Sequence, residues 1–312
     1  MQNDLRPIVV VGSINMDLVA NVVNIPRAGE TILGSNFQTH AGGKGANQAV
    51  GVARLEYPVM MIGMLGSDAF GKEMREHLKR EGVDTTHVGE SKSATGIAMI
   101  QVDSAGQNSI SVAPGANHDL TPDVLRSKEE IIRSAGVVLA QLEVPIETVL
   151  CLAEMCARFK LPLILDPAPA HELPERVLSA VAWFTPNETE AQFYAKGATS
   201  DDALLAMLLK AGTRGVILKR GASGCVIGES DGAAHSVPAP VVKAVDSTAA
   251  GDAFNAAFAV AIMQGHEPLE SAKYATAAAS ISVTRAGAQA SLATKAEVYA
   301  ALERVSRGEK FI

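Results

Sequence analysis

Aromatic side chains are scarce in this 312-residue chain, at 4% with a single Trp, so its core has to be assembled from Ala, Val, Ile, Leu and Met. Cysteine is scarcer still. Cys151, Cys156 and Cys225 make no disulfide framework, and the first two stand five apart in an apolar run, poor spacing for two ligands on one helix face. All three read as small buried hydrophobes. Basic charge is in deficit: 27 Lys+Arg against 34 Asp+Glu give a formal charge of −7. That argues against a dedicated nucleic-acid binder, which needs a basic stripe, while leaving room for a local positive site for a small anion. No apolar run reaches the roughly 20 residues of a membrane span. The start, MQNDLRPIVVVGSINMD, is polar and then briefly apolar, unlike a signal peptide. A soluble, cytoplasmic protein is expected. The seven histidines are scattered without metal-ligand spacing, and neither repeats nor Pro/Ser-rich linkers divide the chain.

Apolar residues nevertheless reach 47%, enough for a sizeable core. Short β-branched runs alternate with longer helical patterns. IVVVGS (8–13), VMMIGMLG (59–66), GVVLAQLE (136–143), LPLILDP (161–167), AWFTPN (182–187) and RGVILKRG (214–221) read as strands. GGKGANQAVGVARL (42–55), GKEMREHLKREG (71–82) and IETVLCLAEMCARFK (146–160) read as helices, with the charges of REHLKRE (75–81) on a solvated face. Continuous apolar strands alternating with helices predict a doubly wound, mainly parallel α/β sheet covered on both faces. Residues 17–40 and 94–113 break the pattern with period-2 character, and IAMIQVDSAGQNSISV predicts a hairpin around 104–108. They read as a small antiparallel sheet, a lid on one domain spanning 1–312.

Ligands of doubly wound sheets sit beyond the carboxyl ends of the strands, where this chain places Asn15, Asp17, Glu143, Asp166, Asn187, Glu190, Gly221 and Gly224. The most informative stretch is AVDSTAAGDAFNAAF (244–258). A predicted strand, PVVKAV, runs into the tiny residues Ala249, Ala250 and Gly251, and Asp252 begins a helix. Open backbone N–H groups at a helix N-terminus make an anion hole suited to a phosphoryl group. From the residues alone, Asp252 is either a helix cap or a carboxylate able to take a hydroxyl proton. AGGKGANQA (41–49) fails the phosphate-loop pattern, with Gln38 and Gly45 where that motif needs Gly and Ser or Thr, and there is no G-x-G-x-x-G. It is a strand–helix turn or a ligand loop.

AGGKGANQAV and DSTAAGDAFNAAF resemble the two signatures of the ribokinase-like (PfkB) carbohydrate kinases, and GSINMD, QLEVP, DPAPA, TPNETEA, KRGASG and TRAGAQAS stand in the family's order. The resemblance covers essentially the entire chain. It implies ATP-dependent phosphorylation of a sugar's primary hydroxyl, for which D-ribose at its 5-hydroxyl is the expected substrate. By the same resemblance Asn15, Asp17, Gly43, Lys44 and Asn47 would bind the sugar, with Glu143 nearby; carboxylates and carboxamides supply the paired donors and acceptors a polyol needs. Asp252 would be the base, and the amides of Ala249, Ala250, Gly251 and Asp252 would stabilise the transferring phosphoryl group. Asn187 and Glu190 would reach the phosphates and a hydrated Mg²⁺. Lys219, Gly221, Ser223, Gly224 and Thr276 would flank the nucleotide, although Lys219 stands where a small hydroxyl residue is frequent and Thr276 where Asn or His is. An activating K⁺ would lie among Asp246, Thr248, Ser282, Arg285, Gly287 and Ser291. A homodimer through the lid is expected. The rivals are a family kinase of a ketohexose, deoxyribose or nucleoside, for which 17–40 offers only Phe37 as an aromatic, and a non-catalytic sugar sensor, which would be expected to have lost Asp252 or its turn.

Overall fold

The computed structural model describes residues 5–230 and 234–311, so the ends of the expected 1–312 domain lie outside the described residues. Thirteen strands are described. They are β1 Ile8–Val11, β2 Asn15–Asn21, β3 Asn36–Gly42, β4 Val59–Gly66, β5 Val88–Ser91, β6 Gly96–Val102, β7 Asn108–Ala113, β8 Val137–Ala140, β9 Leu163–Leu165, β10 Trp183–Phe184, β11 Gly215–Lys219, β12 Cys225–Glu229 and β13 Ala234–Val237. The helices are α1 Lys44–Arg54, α2 Ala69–Arg80, α3 Pro122–Arg126, α4 Glu129–Ser134, α5 Ile146–Phe159, α6 Glu175–Leu178, α7 Glu188–Tyr194, α8 Asp201–Lys210, α9 Ala250–Met263, α10 Pro268–Ser282 and α11 Lys295–Ser306.

Nine strands form the main sheet in the order β13-β12-β11-β10-β9-β8-β1-β4-β5, parallel from β11 through β5. Successive residues of β1 serve opposite faces. Ile8 and Val10 enter a core shared with α1, α9 and α10, whereas Val9 and Val11 enter one shared with α5 and α8. This is the doubly wound arrangement read from the alternation, and all three cysteines are buried and free in it.

The remaining strands form a separate sheet in the order β3-β2-β6-β7, with the 103–107 turn joining the predicted hairpin. It grows from the end of β1, only three residues before β2.

Three expectations need correction, the first being that the small sheet is wholly antiparallel: β2 and β6 pair in parallel. PVVKAV is not a strand: Pro238 and Pro240 cannot donate to a ladder, Val241 is fully exposed, and Val245 N and Asp246 N both donate to Val283 O at the end of α10. In its place β12 and β13 extend the sheet edge as antiparallel strands. The 75–81 charges are not merely solvated either. Arg75 donates to the carbonyls of Val88 and Gly89, and Glu81 pairs with Arg54 at 2.8 Å.

Candidate active site

The site forms where the N-termini of α1 and α9 meet the carboxyl ends of the parallel strands. Gly43 precedes α1 with φ 88°, a left-handed conformation that only glycine adopts without strain. Helices α1 and α9 approach so closely that a Cβ on Gly51 would lie 2.7 Å from the Ala256 Cβ. Side chains near the start of α1 therefore reach those near the start of α9.

Asp252 is the third residue of α9, which begins at Ala250 rather than at Asp252, and the helix has no side-chain cap. The capping reading is thereby excluded. Its carboxylate instead faces α1, where Asn47 Nδ2 donates to Oδ2 at 2.9 Å and Gln48 Nε2 donates to Oδ1 at 3.1 Å. Burial raises its pKa, opposed by the Lys44 ammonium, raised further by Asp166 and lowered by these two hydrogen bonds. Ala249 takes a left-handed turn at φ 60° into α9. The Ala250 amide closes that turn onto Ser247 O at 3.2 Å, which leaves the amides of Gly251 and Asp252 as the helix-end donors facing the site.

The predicted sugar residues converge on the same spot. Asn15 opens β2, pairs in register with Gly42 and Gly96, and accepts from Asn117 Nδ2 at 2.7 Å. Glu143 accepts from Ser13 Oγ at 2.5 Å and from Lys44 N at 3.1 Å. Asp17, on the lid strand β2, has its pKa raised to about 7 by burial and by the neighbouring carboxylates of Glu143 and Asp252. Burial disfavours the Lys44 ammonium, but Asp252, Asp166, Glu143 and Glu190 together outweigh it and raise its pKa.

At the carboxyl ends of β10 and β11, Asn187 and Lys219 form a β-bridge. Lys219 Nζ donates to Asp166 Oδ1 at 3.0 Å, and Asp166 Oδ2 accepts from Gln48 Nε2 at 3.2 Å, which links Lys219 through two side chains to Asp252. Asn187 and Glu190 form a capping box at the start of α7, with a further bond from Asn187 Nδ2 to Glu190 Oε1 at 3.0 Å. Burial and Asp166 raise the Glu190 pKa, against Lys219, the Asn187 backbone bond and Lys44. Gly221 and Ser223 bound a 3₁₀ turn, and Gly224 follows with φ 86°, where a Cβ would strike Val237 O. Thr276 is buried on α10, its hydroxyl donating to Ala272 O at 2.8 Å and lying 3.6 Å from Cys225 Sγ.

Behind the start of α9, Asp246 Oδ1 accepts from Thr248 N and Thr248 Oγ1, while Oδ2 accepts from Gly287 N at 2.9 Å. Although burial opposes it, these bonds lower the Asp246 pKa. The Ser282 and Ser291 hydroxyls turn onto Ala279 O and Ala288 O, and Arg285 pairs with Glu297, so these three side chains are engaged with other partners than Asp246.

The sequence reading missed Gln48, Gln141 and Gln289. Gln141 Nε2 donates to Gln48 Oε1 at 2.7 Å, and Gln289 Nε2 donates to Asn47 Oδ1 at 3.1 Å. Gln48 had one available signal, its place directly after Asn47 in the first turns of α1. The assembled site holds a buried carboxylate able to take a proton, free amides and an ammonium beside it, and paired polar groups opposite.

The profile of the pfkB family of carbohydrate kinases matches residues 6–295. The chain is 38% identical to the ribokinase of Haemophilus influenzae over 303 residues, 96% of this chain and 99% of that protein. It is 40% identical to the ribokinase of Bacillus subtilis over 299 residues, 94% and 98% of the two chains. Among solved structures, Thermotoga maritima ribokinase superposes with a TM-score of 0.90 at 37% identity, covering 95% of this chain and 99% of that one. Arabidopsis thaliana ribokinase complexed with ribose and ATP gives 0.89 at 35% identity, covering 95% and 98%. A match of this length, together with the two glycine-rich helix starts brought side by side, shows that the chain belongs to the pfkB family of carbohydrate kinases.

Proposed function

We propose that this chain transfers the γ-phosphoryl group of ATP to the 5-hydroxyl of D-ribose. The observation that carries the reading is the Asp252 carboxylate, buried and held by Asn47 and Gln48 beside the free amides of Gly251 and Asp252. In this reading Asn15, Asp17, Gly43, Lys44, Asn47 and Glu143 hold the ribose hydroxyls and turn its 5-hydroxyl toward Asp252. Asp252 takes the hydroxyl proton as the oxygen attacks in line. The amides of Gly251 and Asp252, presented by the turn through Ala249 and Ala250 whose own Ala250 amide is held by Ser247 O, and the Lys219 ammonium stabilise charge on the phosphoryl group, a preorganised electrostatic effect. Asn187, Gly221, Ser223, Gly224 and Thr276 border the nucleotide.

Two ions belong to the proposal. Mg²⁺ arrives with ATP and suits oxygen donors with retained waters; the Glu190 carboxylate, which keeps lone pairs beyond the two bonds it accepts from Asn187, would hold it through water and neutralise phosphate charge. K⁺ would lie beside Asp246, a carboxylate kept ionised between two turns, with the backbone of Thr248, Ser282, Arg285, Gly287 and Ser291 supplying carbonyl oxygens. The four-stranded sheet acts as the lid, since β2 carries both Asn15 and Asp17. Its edge strand β7 is exposed along its length, with Ile110 and Val112 about half exposed, a surface that a second copy of the chain would cover. No helix among the described residues is long and apolar enough to cross a membrane, which suits the proposed cytoplasmic location.

The experiment is a panel of ribose, deoxyribose, fructose and adenosine with ATP–Mg²⁺, following ADP release and identifying the product by ³¹P NMR. Ribose 5-phosphate formation with the highest kcat/KM for ribose supports the proposal. A higher kcat/KM for any other acceptor contradicts it.

A further inference from the structure

Gln289 opens the 3₁₀ turn Gln289–Ser291 and is 3% exposed. Both ends of its carboxamide are engaged. Nε2 donates to Asn47 Oδ1 at 3.1 Å, and Oε1 lies 2.8 Å from His77 Nε2 on α2. Asn47 in turn donates from Nδ2 to Asp252 Oδ2 at 2.9 Å.

The direction of every bond in this chain is forced from one end. An ionised carboxylate only accepts, so Asn47 must present its NH₂ to Asp252 and its oxygen to Gln289. Gln289 must then present its NH₂ to Asn47 and its oxygen to His77, whose Nε2 must carry a hydrogen. Reversing either amide sets two oxygens face to face, and the clash passes along the chain to Asp252. The same loop is anchored a second time, because Gly287 N donates to Asp246, which also holds Thr248 just before α9.

We propose that Gln289 is a positioning residue of the reaction: by fixing which way round the Asn47 carboxamide sits, it aims that amide at Asp252 and ties the carboxylate to His77. The proposal rests on Asp252 being the base. Charged groups facing Asp252 are Lys44 and Asp166, with Asp17 in range. His77 faces a cavity of about 320 Å³ that Gln289 also lines, together with His40, Arg54, Glu73, Arg80 and Glu81. Without Gln289 the Asn47 amide is free to turn, and a donated hydrogen bond that favours ionised Asp252 is weakened.

The test uses the full-length protein with ¹³C-labelled aspartate carboxyls, the Asp252 resonance being identified by its loss in Asp252→Asn. In Gln289→Met the Asp252 titration midpoint should rise by about 0.5–1 pH unit, and in His77→Phe by less, with the ribose KM raised and kcat lowered several-fold in Gln289→Met. A midpoint within about 0.1 pH unit of wild type in the folded variants overturns the proposal. Should Gln289→Met fail to fold, His77→Phe, a change at a half-buried residue, decides alone by the same criterion. Whether wild type phosphorylates ribose is a separate measurement; its failure would remove the functional reading and leave the titration result standing.

Discussion

The Lys219 ammonium stands 3.0 Å from Asp166 Oδ1 and so close to the start of α9 that a Cβ on Gly251 would lie 3.3 Å from Nζ. A cation beside a helix N-terminus is electrostatically unfavourable by itself, since both present positive potential. It becomes favourable when an anion occupies the space between them. Asp166 keeps the ammonium in place until then.

Lys219→Met should therefore lower kcat by roughly 100–1,000-fold, the scale of losing one preorganised donor to transition-state charge, while ribose affinity measured by calorimetry stays within a few fold. Equal losses in ribose affinity and turnover would instead assign Lys219 to general integrity of the site.

Asp17 makes the cost of the proposed sugar site measurable without substrate. Its folded pKa, raised to about 7 by burial, Glu143 and Asp252, exceeds its unfolded value of about 3.9. The folded chain thus holds this proton more tightly than the unfolded chain does. The resulting stabilisation is fully present below the unfolded value and is lost as pH rises through about 7, after which the ionised carboxylate is a standing cost. Asp17→Asn should gain stability over wild type between pH 5 and pH 8, with a difference on the order of 1–4 kcal/mol at most, and should lose ribose binding. Denaturant unfolding at both pH values checks this; a pH-independent difference between the two proteins would contradict it.

The fold was legible because burial on both faces writes itself as continuous apolar strands, and because the small residues before α1 and α9 mark helix starts that must approach a ligand. PVVKAV carries the valines of a strand, but the alternate prolines at 238 and 240 remove the donors a ladder needs. The network around Asp252 was only half legible. Asp17, Asn47 and Asp252 announce themselves by charge or motif, whereas Gln48, Gln141 and Gln289 are neutral amides whose role depends on orientation. Nothing in the residues 75–81 shows that His77 reaches Gln289, a partner 212 positions away.

Asp246 supports an ion test. It holds the 287 loop and Thr248 together by three accepted bonds, and a large monovalent ion suits a carboxylate flanked by carbonyls. Replacing K⁺ by a bulky organic cation at constant ionic strength should lower kcat, and Na⁺ should restore it poorly. Because Gln289 of the same loop bonds Asn47, the ribose KM should move as well. Equal rates in all three buffers would leave Asp246 a structural clasp.

The most direct measurement is turnover by Asp252→Asn, followed as ribose 5-phosphate formed from ribose and ATP–Mg²⁺, with ribose affinity measured in parallel. The amide nearly preserves shape but cannot accept the hydroxyl proton, and removal of a positioned base costs about 10²–10⁴-fold in rate. The predicted result is a loss of that size with ribose affinity within a few fold of wild type. Near-wild-type turnover by Asp252→Asn would contradict the assignment of Asp252 as the base.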